Sequence, residues 1–402
     1  MHDETAFVLL VLVFGYALVS GLVGRWYVAP ALVFVLLGMA LGPFGLDLLH
    51  AGPGTEGYTV LAQLALTVIL FLQASALDLR QVLRRGEISF RLIIGIPLTI
   101  ALNTLVALLV LPVLSVWEAV CLAAIVAPTE AAIIHALLTD RRIPERVRHA
   151  LSVESGLYDG FALAALLAAL ALASARNDAD PQRWAWFGFR VEVVSILVGL
   201  GIGLAGGLLV HWSRRRFWLD DTWAQLAALA IALICFEVGE SVHASGFVAA
   251  FTAGLAFAHV SRVRGASPIG TQVCGAAAQV LELMVFAMFG AFAVIDGWRQ
   301  STWQVVVFAL VALFAVRVIT VLVALTGTSL PFSDRLFIGW FGPRGIGTLV
   351  LGLVVINAGA IERAGEIGTI VVVTVTLSLV LHSLTAAGGI RAVRNPTATP
   401  AG

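Results

Sequence analysis

Glu154, Ser155 and Asp159 stand in one stretch, Val153-Glu154-Ser155-Gly156-Leu157-Tyr158-Asp159-Gly160, within a window from about 147 to 173 that otherwise reads as a membrane-spanning helix. A bare acid at the bilayer centre costs about 3 kcal/mol on insertion scales, so such groups face a partner, water or an ion. Helical spacing sorts the three. Ser155 and Asp159 are four apart and share a face, while Glu154 lies about 140° round from Asp159. One acid is there to be paired, and the other to titrate or bind a cation. Low dielectric opposes the charged form of a carboxylate, so an acid placed there can trade a proton for a cation. That property suffices for antiport if Asp159 crosses carrying a proton or a metal ion and never empty.

Two polar clusters interrupt other apolar windows: Ala127-Pro128-Thr129-Glu130 and Gly342-Pro343-Arg344-Gly345. Proline inside a helix frees a backbone carbonyl, and glycine loosens the turn. Broken helices at membrane depth survive only where protein or a water-filled cavity satisfies the freed groups. A pair of breaks at matching places in two halves points to an inverted-repeat transporter with its ion site where they cross. Hard monovalent cations take oxygen ligands, and Asp159, Ser155 and Thr129 supply them. Glu154 is the expected half of a structural ion pair, with Arg317 the favoured partner and Arg344 the other. Glu130 has three open readings: it neutralises helix-end dipoles, pairs with Arg344, or joins the site. Glu237, Glu240 and Glu282 read as bland, being near span ends or without a visible partner.

The elements that must position these groups are set by hydropathy. The 402 residues are 60% hydrophobic and 12% charged, with a mean hydropathy of +1.00; soluble domains carry about twice that charge. The expected fold class is an all-α polytopic membrane protein. Apolar windows of about 20 residues give thirteen spans, at 5–23, 27–43, 58–77, 90–113, 117–138, 147–173, 190–212, 221–241, 246–260, 270–295, 302–326, 334–358 and 364–388. They divide into repeat one (5–173), a linking helix (190–212) and repeat two (221–388). The whole is one transmembrane domain over 1–390, with a short tail at 391–402. Gly199, Gly203 and Gly207, spaced by four in the linking helix, read as close helix packing. All 24 basic residues are arginine, and the loops after odd-numbered spans, with the C-terminus, hold seventeen of them against five in the opposite loops. The positive-inside bias then puts the N-terminus outside and the C-terminus in the cytoplasm.

The formal net charge is zero, which argues against nucleic acid as a partner. Cys121, Cys235 and Cys274 lie far apart in apolar surroundings without metal-ligand spacing, and read as core residues. No His-Glu-x-x-His or Gly-x-Ser-x-Gly pattern occurs, so an intramembrane enzyme is not expected, nor is a cofactor. The alternative to cation exchange is a carrier of an organic or anionic solute on the same inverted-repeat scaffold; Asp159 and Glu130 argue against it.

The chain resembles the monovalent cation/proton antiporters of the NhaP and NHE type. The resemblance is carried by LFLQASALDLRQVLRR (70–85), APTEAAIIHALLTDRRIPERVRHALSVESGLYDG (127–160), SGFVAAFTAGLAFA (245–258), Arg317, and DRLFIGWFGPRGIGTLV (334–350). It implies two inverted six-helix repeats whose discontinuous helices cross near the bilayer midplane, a homodimer, and exchange of Na⁺, Li⁺ or K⁺ for H⁺ by alternating access. It implies a place in a bacterial cytoplasmic (inner) membrane and a part in pH homeostasis. By position, Asp159 resembles the family's ion-binding aspartate, Ser155 a ligand, and Thr129 a backbone or hydroxyl ligand. Glu154 with Arg317 resembles its buried ion pair, and Arg344 the arginine of its Gly-x-Arg-Gly helix. The chain departs at Tyr158, where the family has Asn, at Glu130, where it has Asp, and at Gln73, where an acid often stands. An Asn there helps hold the broken span, and an acid at 73 favours cation over proton.

Overall fold

The computed structural model describes residues 3–24, 28–50, 55–77, 87–130, 133, 140, 142–176, 181–263, 272–359 and 361–393, and all regular structure among them is helical. In chain order the helices are α1 (Asp3–Gly24), α2 (Pro30–Leu41), α3 (Glu56–Ala76), α4 (Glu87–Val110), α5 (Val116–Val126), α6 (Glu145–Arg176) and α7 (Pro181–Arg215). Next come α8 (Asp221–Ser241), α9 (Gly246–Val263), α10 (Gln272–Gln300), α11 (Trp303–Ala324), α12 (Phe332–Trp340), α13 (Ile346–Ala358) and α14 (Ala364–Ala392).

Ten of these helices are long and apolar enough to cross a membrane; α2, α5 and α13 are apolar but shorter. The shortfall falls mostly where the sequence put its breaks. The window at 117–138 is helical only to Val126, with 127–130 irregular; residues 131–132 and 134–139 lie outside the described set. The window at 334–358 is two helices, α12 and α13, separated by five irregular residues, Phe341 to Gly345. Windows six and seven are longer than expected, because α6 and α7 run on past the apolar stretch at both ends. Of the seventeen arginines that set the expected sidedness, Arg25, Arg80, Arg84, Arg85, Arg141, Arg264 and Arg394 lie outside the described residues.

Local chemistry explains several ends. Proline opens α2, where its missing N–H is no loss. Ser115 and Glu118 close a capping box on α5, and Glu118 Oε1 also accepts from Arg363 N at 3.2 Å, tying that end to the start of α14. Arginines bind the carbonyls at other ends. Arg262 of α9 donates to Leu77 O and, at 2.9 Å, to Ser75 O at the end of α3. Arg91 of α4 donates to Thr326 O after α11. These bonds tie α9 to α3 and α4 to α11.

Small residues let the helices approach. A Cβ on Gly199 would sit 1.9 Å from Thr252 Oγ1, and one on Gly203 would sit 2.5 Å from Ala253 O, so the glycine row of α7 seats α9 as the spacing predicts. Gly38 of α2 likewise meets Ala287 O of α10, at 1.9 Å from its would-be Cβ. Two π-helical segments interrupt regular helix, Gly290–Val294 in α10 and Val311–Val316 in α11. The second ends immediately before Arg317.

Candidate functional site

The irregular stretch after α5 meets the one between α12 and α13. Glu130 N donates to Pro343 O at 2.8 Å, and Arg344 Nη1 donates to Pro128 O at 2.9 Å and to Gly342 O at 3.2 Å. Backbone groups that proline and glycine release are thus satisfied across the crossing, as the membrane interior requires. The fit is close. A Cβ on Gly342 would stand 2.5 Å from Arg317 Nε and 3.2 Å from Thr129 Cγ2, and one on Gly345 would stand 2.6 Å from Glu130 Cγ.

Helix α6 passes beside this crossing with two of its acids, Glu154 and Asp159, buried. Glu154 is paired with Arg317: Nη2 donates to Oε2 at 2.7 Å and Nη1 donates to Oε1, a two-pronged bond with both side chains fully buried. Arg317 Nη2 also reaches Ile338 O at 3.3 Å. The choice left open between two arginines falls to Arg317, while Arg344 serves backbone carbonyls. The π segment helps decide it, because each extra residue in a turn rotates the rest of the helix by about 100°.

Asp159 has a different setting. It is 5% exposed, and its Oδ2 has no hydrogen-bond partner among the described residues. The side chain of Gln73 of α3 lies near it, and the charges of Glu130 and Arg344 are in range. Gly347, in the first turn of α13, approaches closely enough that its Cβ would lie 3.4 Å from Asp159 Oδ1. One turn back on α6, Ser155 Oγ donates to Thr129 O at 2.9 Å. The serine proton is thereby committed, and its oxygen keeps lone pairs on the face it shares with Asp159. Other polar atoms are buried without a partner among the described residues: Gln73 Oε1, Thr348 Oγ1 and Arg344 Nη2. Buried oxygen acceptors left unsatisfied are costly unless something else fills their valence. Ser155 Oγ and Thr129 O meet one turn of α6 away from Asp159.

Glu130 lies against Gly345, the residue that caps α13. An acid at a helix N-terminus meets the positive end of its dipole, and the same carboxylate is in electrostatic range of Asp159. Tyr158 turns away from the crossing: its hydroxyl donates to Leu92 O of α4 at 3.2 Å, and its ring lies 5.7 Å from the Arg317 guanidinium carbon. It braces the ion pair and α4, where an Asn side chain is too short to reach. Pro128 and Pro343 act through their carbonyls, as the bonds above show.

Glu282, read from the sequence as bland and without a visible partner, is buried in α10 and in electrostatic range of Glu130. Thr348, which no charge marks in the sequence, is buried in the first turn of α13.

A solved structure of the sodium proton antiporter MjNhaP1 from Methanocaldococcus jannaschii, at pH 8, has the same fold, with a TM-score of 0.77 over 96% of this chain and 98% of that one at 19% identity. Among curated proteins, a K⁺/H⁺ antiporter NhaP of Alkalimonas amylolytica is 26% identical over 343 residues, which is 84% of this chain and 58% of the relative. A Na⁺/H⁺ antiporter of Zygosaccharomyces rouxii is 23% identical over 346 residues, 80% of this chain and 42% of the relative. The chain spans about half the length of the curated relatives it matches. Residues 8–388 match the family described as sodium/hydrogen exchanger, transmembrane, a family of transporters and not of enzymes, and the chain belongs to it.

Proposed function

We propose that the chain exchanges a monovalent cation (Na⁺, Li⁺ or K⁺) for a proton by alternating access, one for one and so without net charge, with Asp159 as the shared site. One observation carries this reading. Of the two buried acids on α6, Glu154 is neutralised by Arg317, while Asp159 is buried with an oxygen that no described group bonds. A carboxylate in that position needs a proton or a cation to be neutral, and Ser155 and Thr129 supply further oxygens for the cation. The relatives that exchange Na⁺ or K⁺ for H⁺ support the substrate class. Selectivity among alkali ions then depends on Gln73, which offers a neutral oxygen where an acid would add charge.

A cavity of about 350 Å³ between α3, α6 and α13, lined among others by Gln63, Leu167, Glu240 and Val350, lies two turns or more from the site along α3 and α6 and within one turn of Gly347 along α13. It suits one of the two access routes that alternating access needs. We place the protein in a bacterial cytoplasmic (inner) membrane as a homodimer serving pH homeostasis, with its N-terminus outside and its C-terminus inside. The domain reading is of two repeats (5–173 and 221–388) joined by the helix at 190–212, which supports the count of thirteen spans. Arginine placement supports the sidedness, and the broken helices support the repeats. The almost wholly exposed α1 offers an apolar face to lipid or to a second copy.

The test uses inside-out vesicles from cells lacking their own antiporters, with a dye that reports a preset pH gradient. Addition of Na⁺, Li⁺ or K⁺ dissipates the gradient for wild type and not for Asp159→Asn. No response to any of the three, from inserted and folded protein, overturns the proposal and leaves an organic or anionic solute to be tested on this scaffold.

A further inference from the structure

The break between α12 and α13 is held from behind by α14, through two residues one turn apart. Ser378 Oγ accepts from Arg344 N at 2.7 Å. His382 Nδ1 lies 3.2 Å from Ser378 Oγ, and His382 Nε2 lies 3.0 Å from Trp340 O. Trp340 is the last residue of α12 and Arg344 precedes α13 by two, so this pair reaches both sides of the five-residue gap.

Nδ1 also lies 2.8 Å from Ser378 O, so both ring nitrogens face carbonyl oxygens. A carbonyl only accepts and a neutral imidazole has a single N–H, so the ring donates to one of the two carbonyls. With the proton on Nε2 it goes to Trp340 O, and Nδ1 can then accept from the Ser378 hydroxyl. Ser378 Oγ accepts the Arg344 amide in either tautomer. His382 is 1% exposed and Ser378 is fully buried. The imidazole is stacked on Phe314, with centroids 5.7 Å apart, and Phe341 packs on it at 6.3 Å. Phe314 belongs to the π segment before Arg317. Trp340 is fixed as well, by its ring N–H on Thr385 Oγ1 at 3.1 Å.

From this clamp a chain of contacts runs to the ion site. Ser378 holds the Arg344 amide, the Arg344 guanidinium holds Pro128 O, Pro343 O holds the Glu130 amide, and Thr129 O is held by Ser155, one turn from Asp159. The geometry points to His382 and Ser378 as positioning residues for the cation site: they fix the α12–α13 gap, and through it the carbonyls and charges that face Asp159. The inference rests on the exchange reading for its transport consequences, and on the clamp alone for its structural ones.

Three variants test it. His382→Leu keeps the bulk and removes both polar atoms, Ser378→Ala removes the hydroxyl with almost no change of volume, and His382→Gln keeps a donor for Trp340 O and an acceptor for Ser378. Loss of one buried hydrogen bond is an effect of about tenfold. His382→Leu and Ser378→Ala are expected to raise the cation KM by about that factor with a smaller change in maximal rate, and His382→Gln is expected to stay near wild type. Hydrogen–deuterium exchange of the peptide covering 341–347 reads the clamp without transport, and is expected to quicken about tenfold in the first two variants only. If Ser378→Ala, which should fold normally, keeps wild-type exchange there, the inference fails whatever the vesicles show. The inference also fails if His382→Gln is as impaired as His382→Leu. If wild type moves no cation while the amide exchange matches expectation, the exchange reading fails and the clamp stands.

Discussion

A buried carboxylate that is paired and one that is not answer removal of their charge in opposite ways. Glu154→Gln leaves the Arg317 guanidinium buried without its counter-charge, and stranding a charge in this way costs about 3–5 kcal/mol. We expect a marked fall in the unfolding temperature in detergent, and poor insertion. The double change Glu154→Gln with Arg317→Gln is expected to recover part of that fall. Asp159→Asn removes a charge whose Oδ2 no described group bonds, so its unfolding temperature should match or exceed that of wild type while exchange is lost. Equal destabilisation by the two single variants would mean that Asp159 is also structural. Tyr158→Phe deletes the one bond to Leu92 O and keeps the ring against Arg317, so it should cost about 1 kcal/mol. Tyr158→Asn loses the ring as well, and should cost more through the space it leaves.

At the scale of the helices, the crossing depends on two glycines. A methyl on Gly342 meets the Arg317 guanidinium, and one on Gly345 meets the Glu130 side chain. Overpacking of this kind costs about 1–3 kcal/mol. Gly345→Ala is expected to reduce exchange more than stability, because Glu130 can move only towards Asp159 or out of the helix N-terminus. The check is a cation KM measured beside an unfolding curve, and a normal KM would show the crossing to be looser than it looks. The breaks themselves were legible in the sequence, since proline and glycine at membrane depth leave few other readings, and the one-turn spacing of Ser155 and Asp159 was legible too. The pairing of Glu154 was legible as a preference for Arg317 over Arg344, and Arg317 is the partner. Two things were not. The direction of Tyr158 depended on a carbonyl of α4, and the clamp depended on a histidine that composition presented as one of eight scattered ones. The loop before α6 adds a pH effect. Arg142 binds Asp140 through Nη2 at 2.6 Å and Nε at 3.0 Å, and holds its carboxyl below the usual carboxylate range. A lowered value in the folded state stabilises above the ordinary value and is lost as pH falls through the lowered one. The loop should therefore loosen only in strong acid, and Asp140→Asn should abolish that acid dependence in a proteolysis assay.

For the molecule as a whole the deciding quantity is the charge that crosses with each cycle. Glu154 and Arg317 cancel, which leaves Asp159 in range of Glu130 and Arg344, and Glu282 in range of Glu130. If Asp159 alone trades its proton for a cation, the site carries the same charge in both crossings and the membrane potential does no work on it. If Glu130 or Glu282 also releases a proton in each cycle, one net charge moves, worth about 2.3 kcal/mol at 100 mV. That is enough to shift the steady cation gradient by about fifty-fold, so the alternatives are well separated. Glu130 is anchored at the capped end of α13 and Glu282 belongs to α10, whereas Asp159 shares its face with the oxygens of the crossing. The expected result in proteoliposomes is a cation-triggered pH change whose rate is the same whether or not the membrane potential is shunted by a lipophilic ion. Acceleration by the shunt in wild type, abolished in Glu282→Gln, would assign a second transported proton to the Glu130–Glu282 pair. Acceleration retained in Glu282→Gln and abolished in Glu130→Gln would assign it to Glu130, and the anchoring at α13 would then have to break once in every cycle.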